Sequence, residues 1–200
     1  MTPTCIELCA GAGGMAMGLE RAGWEHLLLV ERDEACCETL RTMGAVPGHI
    51  VHSDIQKLDH TMMRDMEPDM ICGGPPCQPF SSAGDQRGGD DPRDALECAV
   101  RLAVDVRPRM IMFENVPGLL HQKFNTYRDR LGGLARDAGY AVRWIKFNCR
   151  NYGVPQRRNR IAFLAILDMA PLTDWPPLPP HTKHTQHLSL IHISEPTRPY

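Results

Sequence analysis

Thr4-Cys5-Ile6-Glu7-Leu8-Cys9-Ala10-Gly11-Ala12-Gly13-Gly14 reads as a short apolar strand running into a glycine-rich turn, and an amphipathic helix to about Ala22 follows. Such a turn lets a ligand approach bare backbone, and the helix N-terminus behind it adds N–H donors. The next apolar run, His26 to Glu31, is a second buried strand that ends in an acid. Glu31 lies about 20 residues beyond Gly11, the spacing at which a doubly wound α/β fold presents a carboxylate to a ribose hydroxyl. Asp33 to Met43 then suits a helix capped by Asp33.

Outward from there, strands and helices keep alternating. Ile50-Val51-His52 is a third strand, running into Ser53-Asp54-Ile55. Asp54 stands where an acid could receive an adenine amino group, although an Asp there more often caps a turn. Asp69 to Gly73 is a fourth strand. Pro92 to Val106, with Leu96, Ala99, Val100 and Ala103 spaced by three and four, is a helix that Pro108 ends. Arg109 to Glu114 is a fifth strand, Phe124 to Ala138 a helix, and Tyr140 to Phe147 alternates as a strand. A turn from Asn151 to Arg160 feeds the last strand, Ile161 to Leu167. The pattern predicts an α/β fold, a doubly wound and mostly parallel sheet of Rossmann-like type.

The fourth strand delivers Gly73-Gly74-Pro75-Pro76-Cys77-Gln78-Pro79-Phe80-Ser81. Proline lacks an N–H and fixes φ, so three prolines in seven residues force one stiff, extended turn. That turn carries one thiol, Cys77. A lone Cys is most often a small buried hydrophobe; rigid presentation at a strand's carboxyl end favours a nucleophile. If strands four and five are parallel neighbours joined by the intervening helix, Cys77 and Glu114 share one rim with the glycine turn. Arg158 and Arg160 alternate, so both leave one face of an extended segment and could grip a phosphate or base edge. The loop from Phe80 to Asp91, rich in Gly and acid, suits a lid over bound substrate.

Composition narrows the function class. The 200 residues suit one domain with a substantial core. They contain no run of 18 apolar residues for a membrane span and no signal-like N-terminus. The eight cysteines show neither CxxC nor zinc spacing, which points to free thiols in a reducing cytoplasm. Residues 1–120 carry 10 Lys and Arg against 19 Asp and Glu (net −9), whereas residues 121–160 carry 10 against 2 (net +8). A basic segment on an acidic domain is a footprint for a polyanion. Residues 1–167 are expected to form the catalytic and cofactor-binding domain, and 168–188 a Pro/His-rich linker. His181, His184 and His187 within it could suggest a metal site, but no further ligands sit beside them and an unstructured linker is expected. Residues 189–200 are expected to be a non-native tail.

These phrases together resemble the cytosine-5 DNA methyltransferases, from about Cys5 to Ile166 and in that family's motif order. The resemblance implies the fold of S-adenosylmethionine-dependent methyltransferases and S-adenosylmethionine as cofactor. Leu8, Cys9, Gly11, Gly13, Gly14, Glu31, Asp54, Ile55, Pro75 and Leu96 would then hold the cofactor. Cys77, Glu114, Arg158 and Arg160 would be catalytic, and Gln78, Ser81, Asn115 and Gln156 would position the substrate. It further implies double-stranded DNA as partner, a cognate restriction endonuclease, a monomer, and no membrane or metal. Glu7-Leu8-Cys9 stands where the family usually has Asp-Leu-Phe, so weaker cofactor binding is expected. The family's target-recognition domain and final Asn-containing helix have no counterpart in the sequence. Three alternatives stay open: a tRNA cytosine methyltransferase, an inactive cofactor-site fragment, and a nicotinamide oxidoreductase. The last shares the GxGxxA pattern of Gly11, Gly13 and Ala16, but gives no role to Cys77 or Glu114.

Overall fold

The computed structural model describes residues 1–44, 49–76 and 94–167. Five strands, β1 (Thr4–Leu8), β2 (Glu25–Glu31), β3 (Ile50–His52), β4 (Met70–Gly73) and β5 (Met110–Asn115), pair in parallel. Strands β6 (Tyr140–Asn148) and β7 (Asn159–Leu167) join antiparallel, giving the order β3-β2-β1-β4-β5-β7-β6. The expected doubly wound, mostly parallel architecture is therefore present. The last strand adds something the sequence reading lacked: β7 inserts between β5 and β6, with Asn115 opposite Ile161. Its start, and the turn before it, thus lie on the rim where β5 ends.

Helices cover both faces. The helices α1 (Gly14–Arg21) and α2 (Glu34–Thr42) pack Ala16 and Leu40 with Leu29 of β2. On the opposite face lie α3 (His60–Asp65), α4 (Ala95–Val106) and α5 (Asn125–Asp137). Ile6, Leu8, Ile71, Ile111 and Phe113 of the sheet meet Leu96, Ala99, Val100 and Ala103 of α4 there. Covered on both faces, the central strands read as continuous apolar runs.

Local chemistry sets the boundaries. Asp33 caps α2 by accepting from the Cys36 N–H at 3.0 Å, as expected, and Asp94 caps α4 by accepting from Glu97 N–H at 3.1 Å. β1 stops at Leu8, one residue before the expected end, because Cys9 turns into the left-handed region at φ 56. Helix α3 was not anticipated: six residues are too few to show periodicity, and only its cap, Asp59 accepting from Thr61 and Met62, marks it. Gly73 follows from a close approach. A Cβ there would lie 1.9 Å from the Leu8 carbonyl oxygen, so β1 and β4 can meet at this point only with glycine. The 80–91 loop, the 168–188 linker and the 189–200 tail lie outside the described residues.

Candidate active site

The carboxyl ends of β1 to β4 enclose a cavity of about 320 Å³. It sits where strand order reverses, between β1 and β4, the place where doubly wound sheets bind ligands. Cys9 and Gly11 line it from the β1 turn, Val30 and Glu31 from β2, and Asp54 and Ile55 from the segment after β3. Gly74, Pro76 and Ala95 close the β4 side.

Glu31 is the anchor of the glycine turn. Its Oε2 accepts from Gly11 N–H at 2.8 Å, and its Oε1 accepts from Arg32 and Asp33 N–H at 2.8 and 2.9 Å. A carboxylate has about four lone-pair sites, so three backbone donors leave capacity for a ligand hydroxyl. Asp54 caps the short turn Ile55–Lys57 by accepting from Gln56 N–H at 3.0 Å, and it also lines the cavity. Burial, reinforced by the charges of Glu31 and Asp54, pushes the Cys9 thiol up to about 12. Cys9 is thus an apolar wall and not a nucleophile.

Along the same rim, the end of β5 meets the run leading to Cys77. Arg160 Nε lies 2.5 Å from Glu114 Oε1. The other oxygen, Oε2, faces the Gly74 backbone, 3.5 Å from where a Cβ would stand. Asn115, 3% exposed, donates from Nδ2 to the Pro75 carbonyl at 3.2 Å, while its Oδ1 accepts from Val116 N–H at 2.9 Å. Glu114 and Asn115 therefore flank Gly74-Pro75-Pro76, which line or border the cavity and precede Cys77 in sequence.

The remaining expected site residues divide. Leu8 and Leu96 turn their side chains into the core, at 0% and 1% exposure, and not into the cavity. Gly13 starts α1 from the left-handed region at φ 84, and Gly14 is the first residue of that helix. Pro75 is buried under Asn115. Gln156 and Arg158 are exposed in the turn before β7, where Arg158 N–H donates to the Gln156 carbonyl at 2.9 Å. Arg160 lies on β7 against Glu114, so the two arginines do not act as one grip. Cys77, Gln78 and Ser81 lie outside the described residues. Cys36, Ser53 and Ala95 line the cavity without having been singled out. Ser53 and Ala95 are chain neighbours of the expected residues Asp54 and Leu96, whereas Cys36 was one of eight thiols with no motif of its own.

A doubly wound sheet with an acid-anchored glycine turn at its switch point defines a nucleotide-cofactor enzyme fold, with a Glu–Arg pair added on the rim. The chain belongs to the C-5 cytosine-specific DNA methylase family, whose model matches residues 3–195. It is 41% identical over 163 residues to the Type II methyltransferase M.NgoMIV of Neisseria gonorrhoeae, covering 82% of this chain and 51% of that one. Against M.NaeI of Lentzea aerocolonigenes it is 39% identical over 175 residues, covering 86% and 42%. The chain thus spans about half the length of these curated relatives. Among solved structures, a DNA modification methyltransferase from an Escherichia coli prophage superposes with a TM-score of 0.71 at 28% identity, over 84% of this chain and 49% of that one. The Schizosaccharomyces pombe Dnmt2 methyltransferase shares the fold, with a TM-score of 0.67 at 22% identity over 84% and 52%. Among the described residues no helix is long and apolar enough to cross a membrane.

Proposed function

We propose that this chain carries the catalytic half of a DNA (cytosine-5) methyltransferase of restriction-modification type. The observation that carries the reading is the Arg160–Glu114 pair set against Gly74-Pro75-Pro76, the run that leads into Cys77, on the rim of the cavity. The cavity's donor set suits S-adenosylmethionine. Glu31 keeps acceptor capacity for ribose hydroxyls, Asp54 offers a carboxylate to an adenine amino group, and Val30, Ile55 and Cys9 supply apolar walls. Bound there, that cofactor supplies an electrophilic methyl group.

The chain's own residues must activate the base, because cytosine C5 is a poor nucleophile. The Cys77 thiolate adds to C6, and Glu114, carrying a proton on Oε2, holds or protonates N3 and so neutralises the charge that develops on the ring, which leaves C5 enamine-like. Arg160 fixes the Glu114 carboxyl through Oε1, so only Oε2 turns to the base. Asn115 holds the Pro75 carbonyl and so sets where the run enters Cys77. After transfer, loss of the C5 proton expels the thiolate. A stacked base cannot reach such a site, so the cytosine is flipped out of the duplex at a cost of a few kcal/mol. The turn before β7, with Arg150, Arg157 and Arg158, stands on this rim and offers its charge to phosphates. In this reading the protein acts as a cytoplasmic monomer on double-stranded DNA, beside a cognate endonuclease. The matching family model, described as a DNA methylase, supports DNA over tRNA as substrate.

Radiolabelled methyl transfer from S-adenosylmethionine to mixed-sequence duplex DNA tests this. In the full-length protein, incorporation as 5-methylcytosine is expected, abolished by Cys77→Ala and lowered about 100-fold or more by Glu114→Gln. Turnover by Cys77→Ala would exclude the covalent scheme, and transfer to tRNA but not DNA would reassign the substrate.

A further inference from the structure

Glu7 and His26 are almost completely buried, at 1% and 6% exposure, and His26 Nε2 lies 3.1 Å from Glu7 Oε2. The mechanism above uses neither. Burying two ionisable groups is costly, and their attraction offsets that cost only where the geometry is good and their remaining polar atoms are satisfied. His26 Nδ1 is also buried without a hydrogen-bond partner. The pair thus persists despite an unmet polar atom.

Its position explains what it does. β1 and β2 start in register, with Thr4 opposite Glu25 and Cys5 opposite His26, and then the register slips: Ile6 is opposite Leu28, leaving Leu27 as an extra residue. Such bulges are rare between parallel strands and re-aim a side chain. Plain alternation from Leu28 would turn His26 to the α4 face. The bulge turns it instead to the face of Cys5 and Glu7. Beyond the bulge Leu8 is opposite Val30, Ala10 N–H donates to the Val30 carbonyl at 3.1 Å, and Gly11 N–H reaches Glu31 Oε2 at 2.8 Å. Without the extra residue Leu8 would face Leu29, and every later β2 side chain, Glu31 included, would change face.

We propose that Glu7 and His26 are positioning residues for the glycine turn: a buried, proton-dependent ion pair pins the Leu27 bulge, and the bulge sets the register that brings the Glu31 carboxylate onto the Gly11 N–H. The two act through Glu31 and touch no ligand. The inference is independent of what the cavity binds.

The groups facing the pair are Cys5 of β1, Cys72 of β4 (opposite Glu7 in register) and, toward Glu7, Glu20 of α1. Burial pushes the imidazole down, but the neighbouring Cys5 and Glu7 side chains outweigh it and raise His26 to about 9. The Cys72 thiol, then His26, pull Cys5 down to about 6 against its burial. Burial raises Glu7, which His26 partly offsets. The signs matter for the experiment. A raised His contributes stability present below its unfolded value and lost as pH rises through about 9; a lowered Cys contributes stability lost as pH falls through about 6. Between pH 6 and 9 the two oppose each other, so global melting is a poor probe and a local one is required.

The test is NMR of the whole chain, following the His26 ring and the Gly11 amide from pH 6 to 10. His26 is expected to titrate near 9, with the Gly11 amide proton moving upfield at the same midpoint, while the Phe113 amide in the central sheet stays put. Glu7→Gln should bring the His26 midpoint down by a unit or more and weaken Gly11 amide protection at least tenfold at pH 7.5, with Phe113 protection unchanged. A His26 midpoint near 6.5 in the unaltered protein, or a Gly11 signal indifferent both to His26 titration and to Glu7→Gln, overturns the proposal. Should Glu7→Gln fail to fold, titration of the unaltered protein decides alone.

Discussion

Asn115→Asp separates two roles for one residue, contact with substrate and support of the backbone before Cys77. The substitution is isosteric and keeps an Oδ1 acceptor for Val116 N–H. It removes only the donor that meets the Pro75 carbonyl at 3.2 Å. Leaving a buried carbonyl unpaired costs about 1–3 kcal/mol. A carboxylate oxygen now faces the carbonyl oxygen in a site 3% exposed, which adds repulsion and desolvation. Together these predict a loss of about 2–4 kcal/mol at pH 8, read from urea unfolding. The new carboxyl would have a raised pKa, because burial disfavours its charged form. Below that value it regains a proton, can donate to Pro75 again, and should recover about half the loss. Asn115→Ala has no such recovery and serves as the control. A loss below about 0.5 kcal/mol, flat with pH, would refute the support role and leave Asn115 only a substrate contact.

Gly73→Ala puts a Cβ 1.9 Å from the Leu8 carbonyl oxygen, so β1 and β4 must separate; we expect a loss above about 3 kcal/mol or no soluble protein, and an unchanged melting temperature would contradict the close approach. Asp94, 9% exposed, has its carboxyl raised by burial, an effect that hydrogen bonds with Tyr127 and Glu97 only partly offset. A raised carboxyl favours the folded state at low pH and costs stability once pH rises above it. Asp94→Asn should therefore stabilise the fold at pH 7 and do so less at pH 4; urea unfolding at both pH values checks this, and destabilisation at pH 7 would refute it.

Local chemistry was legible where it repeats or is short-range. The strand–glycine turn–helix order, Glu31 at the end of β2, Asp33 as a cap and the apolar spacing of α4 all follow from neighbours within about 20 residues. The end of β4 at Gly73 was marked by the glycines and prolines there, because these residues restrict the backbone whatever surrounds them. Register was not legible. Leu27 to Val30 is apolar throughout, so a strand covered on both faces has no alternation to show that Leu27 is an extra residue. The insertion of β7 between β5 and β6 was equally hidden. That insertion carries Arg160 onto Glu114, 46 residues away along the chain, and takes it out of a joint grip with Arg158. Sequence determined which residue types stand at strand ends, because backbone restriction and periodicity act locally. Tertiary structure alone decided which of them meet, because strand order and a one-residue slip are set by packing over the whole sheet.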